Sequence, residues 1–276
     1  MEIGVNIPAV QHYGVHERRV NVDELDSAVE YLRRYGFAIV KSGLRPDEIK
    51  EIREAFDRVN SATKNTYGID SLTAIDEQNT IRLPLALDAR FLKLAMNPMI
   101  LSIGRRMIGK NILLNQQNGV INPAGKTYNQ AKWHRDLPYQ HFVSSRPLAI
   151  NALFCVDDFT LENGATLVIP SSHQVEEFPS DEVVQKEQRT LVAEAGNFLV
   201  LDCMVYHSGG PNRTNTDRRA VNHVFTTPII RQQIEISSCL GPDFPADAET
   251  RQLLGFGYEG VRSVKDYLES RRKKAG

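Results

Sequence analysis

Apolar residues recur at helical spacing over the first third of the chain. Leu25, Ala28, Val29 and Leu32 line one face of a segment that Asn21-Val22-Asp23-Glu24 can open as a capping box and Gly36 can close. FAIVK (37–41) is short and apolar, the pattern of a buried strand. Pro46, at a first helical position, precedes Ile49, Ile52, Phe56 and Val59 and predicts a second helix. Residues 60–80 are polar, show no period and read as a loop. Two more helices fit 88–97 and 98–108, parted by Asn97-Pro98 and stopped by Gly109.

After Gly109 the period changes. Strands fit 111–121, 128–136, 147–157, 165–169, 189–194, 197–202 and 218–228, each rich in Val, Ile, Leu, Phe or Thr and bounded by Gly, Pro, Asn and Asp. Helices followed by a run of strands exclude the alternation of a doubly wound α/β sheet. The fold class is mainly β with flanking α-helices, its strands forming an antiparallel sandwich or jelly roll. A last helix fits 264–274, with Ser263 as its cap. The pattern divides a single domain, 1–276, into a helical region (1–109), a β core (110–237) and a C-terminal extension (238–276).

Composition narrows the function classes. Of 276 residues, 41% are hydrophobic and 24% charged, and Lys+Arg 33 against Asp+Glu 34 leaves a formal charge of −1. Nothing in that balance calls for nucleic acid or an anionic membrane as partner. Three cysteines, Cys155, Cys203 and Cys239, form no CxxC pair, which argues against a disulfide framework or a four-cysteine zinc site. The start, MEIGVNIPAVQHYG, lacks the charged and apolar regions of a signal peptide, and the expected location is cytoplasmic. The sequon Asn212-Arg213-Thr214 then has no glycosylating context. Oligomeric state is not legible.

The chemistry begins in KWHRDLPYQHF (132–142). On a strand, His134 and Asp136 would share a face with Lys132 and Gln130. A histidine beside an aspartate is common on surfaces, so the pair alone is weak. A second segment strengthens it: His207 follows the strand NFLVL and precedes a Gly-Gly-Pro turn. Two histidines and one carboxylate on one face of an octahedron are the ligand set of non-haem Fe(II) oxygenases. They leave three adjacent positions for a bidentate 2-oxo acid and O2. Arg218 follows His207 by eleven residues and opens a strand. A 2-oxo diacid needs a cation for its distal carboxylate, and an arginine fork suits it. Arg218 and Arg219 are neighbours on that strand, so only one can face the barrel interior.

WHRDLPY (133–139), DDFTLENGATLVIPSSH (157–173) and HSGGPNRTNTDRRA (207–220) together resemble the phytanoyl-CoA dioxygenase-like branch of the Fe(II)- and 2-oxoglutarate-dependent oxygenases. The resemblance spans roughly 35–230. It implies a double-stranded β-helix (jelly roll, cupin-like) core with N-terminal helices. It implies that His134, Asp136 and His207 bind Fe(II) and are the catalytic centre, and that Arg218 holds the C5 carboxylate of 2-oxoglutarate, the spacing of eleven favouring it over Arg219. It further implies O2 as co-reactant, a small-molecule substrate, and C–H hydroxylation with release of succinate and CO2. Related halogenases carry a small residue in place of the carboxylate that Asp136 supplies here.

Two positions depart from the pattern. The usual GSH is Ser171-Ser172-His173. Many members place a serine two residues after the distal histidine, where this chain has Gly209; its serine is Ser208, a candidate cosubstrate contact. Gln117, on the preceding strand, is a substitute candidate. Asn222, which shares the facing of Arg218, is a candidate substrate contact, as are Arg82 and His141. Polar segments 60–80 and 174–188 are lid candidates. Two other classes fit the triad: a cupin-like zinc or manganese hydrolase or isomerase, and a non-catalytic metal or 2-oxoglutarate binding module.

Overall fold

Asp23 starts the first helix, α1 (Glu24–Tyr35), by accepting a hydrogen bond from Asp26 N, and Gly36 ends it at φ 83°. Only glycine enters that left-handed region freely. The cap lies two residues beyond Asn21, because the Asp23–Asp26 spacing satisfies the cap while Asn21 donates to Glu30 instead. The computed structural model describes residues 20–136 and 142–275. The N-terminal stretch read for a signal peptide, and His141, lie outside the described residues.

After α1 come β1 (Phe37–Lys41) and α2 (Pro46–Tyr67), then α3 (Ile69–Ala74) beyond a break at Gly68. Much of the expected 60–80 loop is therefore helical. Its side chains are mostly solvent-exposed, so no apolar stripe marked the helix. A three-residue strand, β2 (Thr80–Arg82), follows, then α4 (Ala89–Ala95) and α5 (Pro98–Met107). Asn97 caps α5 by accepting from Met99 N and Ile100 N.

The β region contains β3 (Leu113–Asn122), β4 (Ala149–Cys155), β5 (Thr166–Val168), a helix α6 (Asp181–Glu187), β6 (Arg189–Leu191), β7 (Asn197–Asp202), β8 (His207–Gly209) and β9 (Arg218–Thr226). Three short helices end the chain: α7 (Ile236–Leu240), α8 (Ala248–Leu253) and α9 (Val264–Ala275). Ser263 caps α9 by accepting from Asp266 N, as expected. The presumed strand 128–136 is instead a 3-10 turn at Asn129–Ala131 followed by one isolated bridge, His134 to His207. The second lid candidate, 174–188, contains α6. No helix among the described residues is long and apolar enough to cross a membrane.

All strand pairs among the described residues are antiparallel. One sheet has the order β1-β7-β4-β9-β3-β2 and the other β6-β5-β8. This is the double-stranded β-helix expected from the sequence. The period of two sorts each strand of the large sheet between two environments. Phe154 of β4, Phe198 and Val200 of β7, and Val221 and Phe225 of β9 join Val29, Leu32, Ile52, Phe56, Phe91 and Ile103 under the helices. Their strand neighbours Cys155, Leu199, Leu201 and Ala220 pack in a second cluster with Phe159, Val168 and Leu191 between the sheets. Gly119 on β3 lets α2 ride close: a Cβ there would stand 2.9 Å from Phe56. Asn212 is buried and donates its amide to Asn122 O and Thr216 O, which gives the sequon asparagine a loop-holding role.

Candidate metal centre

The mouth between the two sheets places the candidate ligands. His207 opens β8 and pairs with Val168 of β5. The HxD segment is stitched to it: His134 N donates to His207 O (3.0 Å), His207 N donates to His134 O (3.1 Å), and Asp136 N donates to Cys203 O (3.0 Å). A strand is not needed to make His134 and Asp136 point together; these three bonds suffice. Arg135, between them, faces away with its guanidinium 3.9 Å over the Tyr206 ring, donating to Ser172 O (2.9 Å) and to Val175 O. Trp133 also packs outside, against Phe178.

One donor atom from each of His134, Asp136 and His207 lies within 4.8 Å of the others. Asp136 Oδ1 is 3.5 Å from His207 Nε2 and 4.0 Å from His134 Nε2. Both imidazoles are set by a carbonyl two residues back: His134 Nδ1 lies 2.7 Å from Lys132 O and His207 Nδ1 3.0 Å from Val205 O. With the proton on Nδ1, both Nε2 lone pairs face inward. His134 Nε2 is buried and has no hydrogen-bond partner. Asp136 Oδ2 accepts from Asn151 Nδ2 at 2.7 Å, which leaves Oδ1 as the oxygen offered to the centre.

The electrostatics suit a divalent cation. Burial pushes the Asp136 carboxyl up, but His207, His134 and Asn151 outweigh it and hold it at about 2. Burial, with the His207 charge, lowers His134 and keeps it neutral. Burial lowers His207 as well, but the Asp136 carboxylate wins and raises it. One carboxylate, two imidazoles and an orphaned Nε2 fit a first-row metal such as Fe(II).

The same cavity is lined by Arg218, Ser208 and Asn222. The structure thus brings together six of the nine candidates. Arg218 is 2% exposed; it donates to Gly164 O (2.8 Å), and its guanidinium lies 4.0 Å over the Phe159 ring. Arg219 faces the other way and pairs with Asp157 (2.8 Å) and Asp57 (2.6 Å). Asn222 Oδ1 is buried and unpartnered.

Two candidates are corrected. Gln117 pairs with His223, on the helix-facing side of the large sheet. It spends its amide there, donating to Phe91 O (2.8 Å) and accepting from Leu85 N (2.9 Å). One residue of strand parity excludes it from the cavity. Arg82, on edge strand β2, forks onto Glu77 and donates to Gln233 Oε1 (3.1 Å), outside the cavity. Three polar lining residues escaped the sequence reading: Asn151, Tyr128 and Thr166. Asn151 had a signal, a lone amide inside the apolar run AINALFC; Tyr128 lies in an irregular segment and had none.

With the donor set and Arg218 in one cavity, comparison with known proteins becomes informative. The phytanoyl-CoA dioxygenase family matches residues 32–220, a span that contains every one of these residues. The chain belongs to that family. Among relatives, the uncharacterized protein Rv1501 of Mycobacterium tuberculosis is 30% identical over 261 residues, 92% of this chain and 95% of that protein. The ectoine dioxygenase of Nocardia farcinica is 25% identical over 225 residues, covering 70% of this chain and 75% of its own. Among solved structures, the epimerase SnoN, in complex with Fe3+ and alpha-ketoglutarate, has a TM-score of 0.59 at 18% identity, over 81% of this chain and 92% of its own. The non-haem monooxygenase ThoJ has a TM-score of 0.58 at 20% identity, over 73% and 77%. These likenesses carry the fold. Membership of a dioxygenase family places the chain among oxygenases.

Proposed function

We propose that this chain is an Fe(II)- and 2-oxoglutarate-dependent oxygenase that hydroxylates an unactivated C–H bond of a small-molecule metabolite or natural-product intermediate. The observation that carries the reading is the convergence of His134, Asp136 and His207 with the buried cation Arg218 in one cavity. A relative named for ectoine supports a small-molecule substrate.

In this reading His134 Nε2, Asp136 Oδ1 and His207 Nε2 hold Fe(II), and Arg218 takes the distal carboxylate of 2-oxoglutarate. Bound iron supplies O2 activation coupled to decarboxylation of the cosubstrate, giving succinate, CO2 and one oxygen atom delivered to carbon. The chain does the rest. The carbonyls of Lys132 and Val205 fix both imidazole tautomers, and Asn151 fixes the carboxylate. Leu153, Leu201 and Val120 line the cavity with apolar surface that excludes water from the reacting carbon. Asn222 offers a polar contact to orient substrate.

The test is oxygen uptake and succinate formation by Fe(II)-loaded protein against a panel of small metabolites, with product mass read by mass spectrometry. Substrate-stimulated succinate with a product heavier by one oxygen is the expected result. Stimulated succinate with a product that has lost hydrogen or changed configuration would replace hydroxylation by desaturation or epimerisation. No 2-oxoglutarate turnover with or without any panel member would count against the oxygenase reading.

A further inference from the structure

A carboxylate docked on Arg218 brings two oxygens and about four acceptor sites, more than the free edge of this guanidinium can meet. One terminal nitrogen already donates to Gly164 O, and the ring of Phe159 covers one face. Nε is buried and unpartnered. A second donor beside it would meet the remaining acceptor sites.

Tyr128 lines the same cavity. The position of its hydroxyl is fixed by what is missing opposite it. A Cβ built on Gly209 would stand 2.0 Å from the Tyr128 hydroxyl oxygen and 2.8 Å from the ring carbon that carries it. No side chain fits at 209 while Tyr128 holds this place. Gly209 has no left-handed backbone to excuse its choice, so the close approach is the requirement. Burial raises the Tyr128 hydroxyl, with the Arg218 charge and a hydrogen bond from the Arg218 side chain opposing, so the phenol stays protonated and able to donate at neutral pH.

We propose that Tyr128 is a cosubstrate-binding residue: its hydroxyl donates to the distal carboxylate of 2-oxoglutarate beside Arg218, and Gly209 is bare to admit it. Tyr128 arrives from the segment before HxD, and so supplies from one side of the cavity what a serine at 209 would supply from the other. The inference rests on the oxygenase reading above.

The test is anaerobic titration of the full-length Fe(II)-loaded protein with two 2-oxo acids, following the weak visible charge-transfer band of chelation. The acids are 2-oxoglutarate and 2-oxovalerate, which keeps the chelating head but ends in a methyl group. Tyr128→Phe is expected to weaken 2-oxoglutarate about tenfold or more, the scale of one hydrogen bond to a charged group, and to leave 2-oxovalerate within about twofold. Gly209→Ser alone is expected to weaken 2-oxoglutarate by crowding Tyr128, and adding Tyr128→Ala to restore it. Equal weakening of both acids, or undiminished 2-oxoglutarate affinity in Tyr128→Phe, would overturn the assignment. A wild type that chelates neither acid would fail the oxygenase reading itself, an outcome distinct from a wild type that chelates and ignores the tyrosine.

Discussion

His223 offers a test of how the large sheet is buried. It lies on the helix-facing side of β9 with no exposed surface, its ring stacked within 8° of Phe225 and edge-on to Phe198. Nδ1 sits 3.0 Å from Ala152 O, and Nε2 has no partner. Burial pushes its pKa down to about 4 against the pull of the Ala152 and Val221 carbonyls. An unfolded histidine titrates near 6.5. Below about 6.5 the unfolded chain therefore binds a proton that the folded chain refuses. The stability this group contributes is complete above that pH and drains away as pH falls toward 4. At about 1.4 kcal/mol per pH unit the full gap is worth about 3 kcal/mol, and about 2 kcal/mol of it is gone by pH 5. His223→Phe keeps a planar ring and replaces the orphaned nitrogen with carbon. Urea unfolding of both proteins at pH 7.5 should place the variant within about 1 kcal/mol of the parent. At pH 5 the comparison should shift by about 2 kcal/mol in the variant's favour. Parallel losses in the two proteins would refute the buried, neutral histidine.

Three further outcomes follow from the site. Asn151→Leu strips Asp136 Oδ2 of its donor and should weaken Fe(II) about 10- to 100-fold, read by anaerobic metal titration. Arg218→Met should abolish the preference for 2-oxoglutarate over 2-oxovalerate, whereas Arg219→Met, which breaks only the pairs with Asp157 and Asp57, should keep it. Gln117→Leu leaves the Leu85 N–H unpaired under the helices; it should cost about 1–3 kcal/mol in urea unfolding and leave 2-oxoglutarate affinity unchanged.

The fold was legible where one periodicity dominated. The apolar face of α1 and the continuous β4, β7 and β9 runs announced themselves, and strand parity separated Arg218 from Arg219. Legibility failed where polar residues carried a helix, as in 60–67, because a solvated helix needs no stripe. It failed again at β2 and β8, three-residue strands held by neighbours rather than by propensity. The candidate donor set could be read because an HxD pair and a later strand-end histidine together supply two imidazoles and one carboxylate. Asn151 and Tyr128 could not be placed, since their roles depend on what stands across the cavity. Gln117 misled because a polar residue on a central strand serves the interior of the sheet as readily as the helices behind it.

On the proposed reading, His134, Asp136 and His207 hold Fe(II) in a cavity that receives 2-oxoglutarate through Arg218. The most direct measurement is anaerobic addition of Fe(II) and then 2-oxoglutarate, with His134→Ala and Arg218→Met beside the wild type. A visible charge-transfer band is expected in the wild type, its absence in His134→Ala, and a large rise in the 2-oxoglutarate concentration needed to form it in Arg218→Met. A wild type that binds Fe(II) and yields no band at saturating 2-oxoglutarate, or an Arg218→Met protein that titrates like the wild type, would contradict it.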